Sequence, residues 1–224
     1  MKVDEIEMAI KRVVRRFSGT LKAISNSQTQ LLELASITGV AEHYKSLGYA
    51  IQAVNPPKKK GFVVKTTTRG YPWNFSYFVC RRDGVELEVH MNVRVRSAHD
   101  LGIYCVDVGV VAVDAIPKAK STPPWECVAN VDLLTFAETK KLVVYPMLLA
   151  QFIGIVHEIC PGNLSGSVRH IELFPALITL GHFSGNSTSI VGAYPGRGIN
   201  VKVVENYDMR LSRVRLGLVA SPFS

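Results

Sequence analysis

The chain has 224 residues, 47% apolar and 20% charged, which is enough for one large domain with a real core, or for a domain with an appendage, and excludes a chain without a core. Lys and Arg total 26 against 18 Asp and Glu, a formal charge of +8. Such a surplus attracts polyanions, nucleic acid above all, although solvated basic faces are the plainer alternative. The most apolar stretch, residues 143–156, is too short to span a bilayer and carries Pro146 and Gln151, so no membrane segment is expected. Acids at Asp4, Glu5 and Glu7 interrupt the N-terminus, which therefore does not read as a secretory leader, and the expected location is cytoplasmic.

In chain order, residues 3–24 form an amphipathic pattern. Ile6, Ile10, Val13, Val14 and Phe17 recur at helical spacing, with Lys11, Arg12, Arg15 and Arg16 on the other face. Ser25, Asn26 and Ser27 break it and offer an N-cap. A second helix is predicted over residues 28–47, closed by Gly48, and a short strand over 49–54. Pro56-Pro57-Lys58-Lys59-Lys60-Gly61 is a loop, residues 62–68 are extended, and 69–74 turn.

A strand over residues 75–82 leads through the hairpin signal Asp83-Gly84 into a strand over 85–95. There Val85, Leu87, Val89, Met91, Val93 and Val95 alternate with Glu86, Glu88, His90, Asn92 and Arg94, as in a half-buried antiparallel strand with its polar side in water. Residues 103–113 are nearly all apolar and predict a strand covered on both faces. Residues 118–125 lie outside the core, 127–140 form the next strand, and 144–159 form a buried helix ended by Pro161 and Gly162. Later strands are expected at 174–180 and 201–204, with a glycine- and serine-rich stretch between them. Helices, a strand meander, a helix and a strand give a mixed sheet with helices on its faces.

Cys80, Cys105, Cys127 and Cys160 form no Cys-x-x-Cys pair and have no His at zinc-finger spacing, and Cys80 and Cys105, in apolar strand-like contexts, read as small buried hydrophobes in a reducing compartment. The acids are more telling. Asp107 lies in Tyr104-Cys105-Val106-Asp107-Val108-Gly109-Val110-Val111, and Glu138 in Asp132-Leu133-Leu134-Thr135-Phe136-Ala137-Glu138-Thr139-Lys140. Alternate strand residues share a face, so Glu138 and Lys140 point the same way. If the two strands pair, Asp107 joins them. An acid in a buried strand is costly unless it is paired or bound to a cation, which makes a metal site the leading explanation.

This pattern resembles the PD-(D/E)xK phosphodiesterase superfamily, which includes many restriction enzymes, resolvases and repair nucleases. Asp107 matches the acid of its second core strand, Glu138-Thr139-Lys140 the (D/E)-x-K of its third, and residues 144–159 its central helix. No proline precedes Asp107, and 31 positions separate it from Glu138, so an insertion near residues 117–125 must absorb the excess.

The resemblance implies an α/β (α+β) fold with a restriction-endonuclease-like mixed central sheet flanked by helices. Residues 1–24 would form a basic helical extension and 25–224 a nuclease-like domain with its core at about 27–184. It implies Mg²⁺, or Mn²⁺, held by Asp107 and Glu138 with help from a backbone carbonyl near Thr139, and Lys140 positioning or acidifying the attacking water. A third acid would come from the first core helix, Glu33 in preference to Glu42, and Gln151 stands where some members carry a helical glutamine. The implied partner is DNA, with a homodimer or a larger protein assembly compatible and no membrane.

Residues 65–75 add Lys65, Arg69, Tyr71, Trp73 and Phe75, an interleaving of cations and aromatics suited to gripping phosphates and stacking on bases, or else to plugging a sheet edge. With Lys58, Lys59, Lys60 and Gln151 they make the expected nucleic-acid contacts. His170 and Glu172 read as a structural pair, and the glycine-rich residues 192–198 as a flexible loop. Two other readings remain: a non-catalytic module of the same fold that binds nucleic acid or a partner, and a structural subunit whose basic face meets an acidic protein.

Overall fold

The computed structural model describes residues 28–59, 61–120, 122, 124–165 and 173–207. The amphipathic segment at 3–24 with its cap, Lys60, His170 and Glu172, and the basic residues Arg210, Arg213 and Arg215 lie outside them.

Helix α1 (Gln28–Ser46) comes first and runs through Gly39 without a break. Gly48 ends it at φ +91°, a left-handed conformation glycine takes without a Cβ clash. Strands β1 (Ala50–Val54), β2 (Tyr77–Arg82), β3 (Val85–Arg96), β4 (Ile103–Ala112) and β5 (Leu133–Lys140) follow. They form an antiparallel meander in chain order. Asp83 and Gly84 both take positive φ, as the two-residue turn between β2 and β3 requires.

Helix α2 (Pro146–Ile159) then crosses over to β6 (Ala176–Thr179), which lies parallel to β5. A short helix α3 (Ser187–Gly192) forms within the glycine- and serine-rich stretch, a 3₁₀ turn (Pro195–Arg197) occupies the part expected to be a flexible loop, and the chain then reaches β7 (Lys202–Val204), parallel to β6. The result is an α+β fold with a seven-stranded mixed sheet. No helix among the described residues is long and apolar enough to cross a membrane.

The sheet is covered on both sides. Leu32, Ile37, Val40 and Tyr44 of α1 pack with Val89, Met91, Val108, Ala137 and Ile178. Leu149, Phe152, Val156 and Ile159 of α2 pack with Phe136 and Leu177. Neighbours on one strand, Phe136 and Ala137 or Leu177 and Ile178, thus feed different cores, as period-two alternation demands.

Two expectations need correction. The strand before Lys140 begins at Leu133, because residues 130–132 form a 3₁₀ turn. And β3 is not half-buried: every residue from Leu87 to Val93 is buried, Glu88, His90 and Asn92 included. Its alternation is real, but the polar side meets protein, and those polar groups have found partners there.

The sheet is irregular at one place. The β3–β4 ladder runs from Leu87–Ala112 to Arg96–Ile103 but skips Asn92 and Asp107. Asn92 has φ +51°, in the left-handed region that Asn tolerates better than most residues. Both strands change faces there. Leu87, Val89 and Met91 belong to the α1 core and Val93 and Val95 to the α2 core; on β4, Val108 belongs to the first and Val106 to the second.

Beyond this crease β5 leaves β4. Their ladder ends at Val108–Ala137, whereas β5 stays paired with β6 as far as Lys140–Thr179. The chain after Lys140 is then strapped to the β6 exit by Val144 N–H donating to His182 O and Ser184 N–H to Val144 O. Gly181 permits this approach, since a Cβ there would lie 2.5 Å from the Leu142 carbonyl oxygen.

Candidate active site

The fork between β4 and β5 holds the acids. Asp107 has no ladder partner on either side, and its carboxylate takes over the role of a missing carbonyl. Oδ2 accepts the Thr139 backbone N–H at 2.7 Å and the Thr139 hydroxyl at 2.8 Å. One aspartate oxygen thereby satisfies the donors of the strand that has departed. It also fixes β5 with Glu138 and Lys140 on either side of Thr139.

Lys140 Nζ lies 2.9 Å from Glu138 Oε2 and 4.0 Å from Asp107 Oδ2. The ammonium therefore bridges both carboxylates. Glu138 is 5% exposed, and its other oxygen, Oε1, is buried with no hydrogen-bond partner. Burial pushes Glu138 up to about 7, and the Asp107 charge adds to the effect against the pull of Lys140. Burial lowers Lys140, but the charges of Glu138 and Asp107 outweigh it and leave Lys140 above its ordinary value.

Glu33 of α1 faces the same place. It is buried, accepts a 3.3 Å hydrogen bond from Asn92 Nδ2, and is pushed up to about 7 first by burial and then by the Asp107 charge. Glu42, the other acid weighed on this helix, instead pairs with Lys45 at 3.4 Å one turn away. The structure brings Glu33, Asp107, Glu138 and Lys140 into one electrostatic neighbourhood.

The remaining candidates scatter. Lys58, Lys59 and Arg69 are exposed, as is Gln151 on the outer side of α2. Trp73 is half-buried in a 3₁₀ turn and stacks on Tyr71 with ring centroids 4.5 Å apart. Lys65 is not a surface cation: it is 3% exposed and donates to the Asn92 carbonyl at 2.5 Å, while Asn92 Nδ2 donates to the Lys65 carbonyl at 2.8 Å. Lys65 and Asn92 thus brace the crease from behind. Asn92 was missed by the sequence reading, although an Asn within a strand pattern, here between Met91 and Val93, is a recognisable signal for a left-handed kink.

The donor set fits a hard divalent cation. Its atoms are carboxylate oxygens, one of them buried and unpartnered, and Mg²⁺ favours oxygen ligands while keeping several waters. Among the described residues no group of three or more His, Cys, Asp or Glu converges as a ligand cluster. The protein's share would therefore be Asp107 and Glu138. The chain matches no protein-family model, no curated protein and no solved structure.

Proposed function

We propose that the chain is a metal-dependent nuclease hydrolysing phosphodiester bonds, most favourably in DNA, on a restriction-endonuclease-like core. The observation that carries this reading is the meeting of Asp107 with Glu138 and Lys140 at a fork in the sheet, where Glu138 Oε1 is buried and unsatisfied. An orphaned carboxylate oxygen is expensive inside a protein and persists where something else completes it. The order α1, β3, β4, β5, α2, β6 supports the fold reading, since the PD-(D/E)xK core also runs helix, three strands, helix and strand with its acids on the second and third.

A bound Mg²⁺ would supply Lewis-acid polarisation of a phosphoryl oxygen and a more acidic water. The protein's own groups supply the rest. Asp107 and Glu138 offer the negative field that attracts the cation. Lys140, held between them, presents an ammonium that can orient a water and offset charge building on the phosphate. The β5–β6 ladder and the strap after Lys140 fix this group in place, which is what preorganised catalysis requires.

The test uses plasmid, linear duplex and single strands with Mg²⁺ or Mn²⁺, with EDTA, and with Lys140→Ala. Cleavage should need the metal and fall by roughly 10²-fold or more in the variant. Cleavage that survives EDTA or the substitution overturns the reading. Salt-sensitive binding without turnover would favour the non-catalytic module instead.

A further inference from the structure

We propose that a second site, a cavity on the side of β3 away from α1, receives one unpaired nucleobase of a single strand. The cavity has a volume of about 200 Å³ and lies between the loops around Pro57, Trp73 and Lys118, with His90 at its wall. Pockets for drug-sized ligands run to roughly 300–1,000 Å³, so this one suits one or two fused rings. Its walls are flat: Trp73, Phe75, Tyr77 and several prolines line it.

The polar groups are unusual for a packing defect. Glu88, 1% exposed, is bound through one oxygen by His90 Nε2 at 2.9 Å and through the other by Lys118 Nζ. Tyr77 stacks on His90 with centroids 4.4 Å apart, and Lys118 Nζ stands 5.0 Å from the Tyr77 ring centre. The wall therefore combines aromatic rings with a buried ion-paired cluster and a nearby cation, a setting in which a base can pack against rings while its phosphate meets positive charge.

Charge selects a nucleic acid over a free aromatic metabolite. Lys58 and Lys59, both exposed, follow directly on the cavity-lining Pro56 and Pro57, and the exposed Arg69 precedes the Trp73 wall. A base in the cavity would set its flanking phosphates beside cations, as single-strand binders do. The proposal rests on nucleic acid being the substrate, but not on the fork being catalytic.

The experiment uses the full chain in EDTA and a single-stranded DNA oligonucleotide with one central 2-aminopurine, against the same oligonucleotide abasic at that position. Burial of the base should quench its fluorescence, and the abasic strand should bind roughly tenfold more weakly. Trp73→Ala should erase that difference. So should Pro57→Trp, which blocks the exposed mouth while removing no buried contact. Equal affinity for the two strands, or a preference that survives both substitutions, overturns the cavity while leaving nucleic-acid binding intact. Binding of neither strand overturns the nucleic-acid reading as well. A preserved base preference in a protein that cleaves nothing would sink only the nuclease.

Discussion

Glu88 and Glu138 are both strand glutamates with almost no exposed surface, 1% and 5%, yet their surroundings drive them in opposite directions. Burial alone would raise both. At Glu88, hydrogen bonds from His90 and Lys118 more than reverse that and hold the carboxyl below its ordinary range. At Glu138, Lys140 serves one oxygen only, Asp107 adds a like charge, and the carboxyl rises to about 7. A fully partnered buried acid anchors structure; one left with an empty oxygen and a negative neighbour is poised to take up a cation or a proton.

Replacing the two acids themselves breaks this contrast most sharply. Glu88→Ala strips two charge-assisted hydrogen bonds and should cost about 2–4 kcal/mol of stability in denaturant melts. Glu138→Gln removes a charge the fold resists, and should stabilise the metal-free protein at pH 8 by about 1–3 kcal/mol while abolishing cleavage. A Glu138→Gln protein less stable than the parent at that pH would mean that the carboxylate is not under strain.

The pH dependence of stability sharpens the same point. Glu138 and Glu33 hold pKa values of about 7 in the fold, above their usual 4.5. Between those values the folded protein binds more protons than the unfolded chain. Stability should therefore fall as pH rises from about 4.5 to 7 and stay low above it, the reverse of a salt-bridged carboxylate. Mg²⁺ should raise the melting temperature more at pH 8 than at pH 5 in thermal scans. A gain independent of pH would show that Glu138 does not meet the ion.

The smallest effect belongs to the crease. Asn92→Ala keeps the strand pattern but forces a Cβ residue without a compensating side-chain bond into a left-handed conformation, at about 1–2 kcal/mol. Asn92→Gly should cost less than Asn92→Ala in the same melts, even though both lose the bonds to Glu33 and Lys65. Equal losses would show that those hydrogen bonds, rather than φ, decide the position.

Much of the fold was legible because its signals are local. Asp83-Gly84 marked one hairpin, the apolar run at 144–159 closed by Pro161 and Gly162 marked α2, and alternation placed β3. Neither the burial of β3's polar side nor the crease was legible. The even residues of β3 read as wet because Glu88 and His90 are polar, and only tertiary partners such as Lys118, distant in sequence, reveal that they are covered. Asp107, Glu138 and Lys140 stood out as charges in apolar runs. The Asp107–Thr139 bonds, by contrast, depend on where two strands part, and no short motif records that. Lys65 misled in the same way, since a lysine among threonines and aromatics reads as a surface cation for phosphate and its burial follows from the carbonyl that Asn92 turns toward it.

The fork has a consequence for solution behaviour. Where β5 departs, the outer half of β4 becomes a margin within the sheet, the kind of border along which foreign strands add and polymers start. Asp107 and Lys140 stand at that border, and charge is the commonest deterrent to such growth. The side chains proposed to handle phosphate would thus also help keep separate copies of the chain from sticking together.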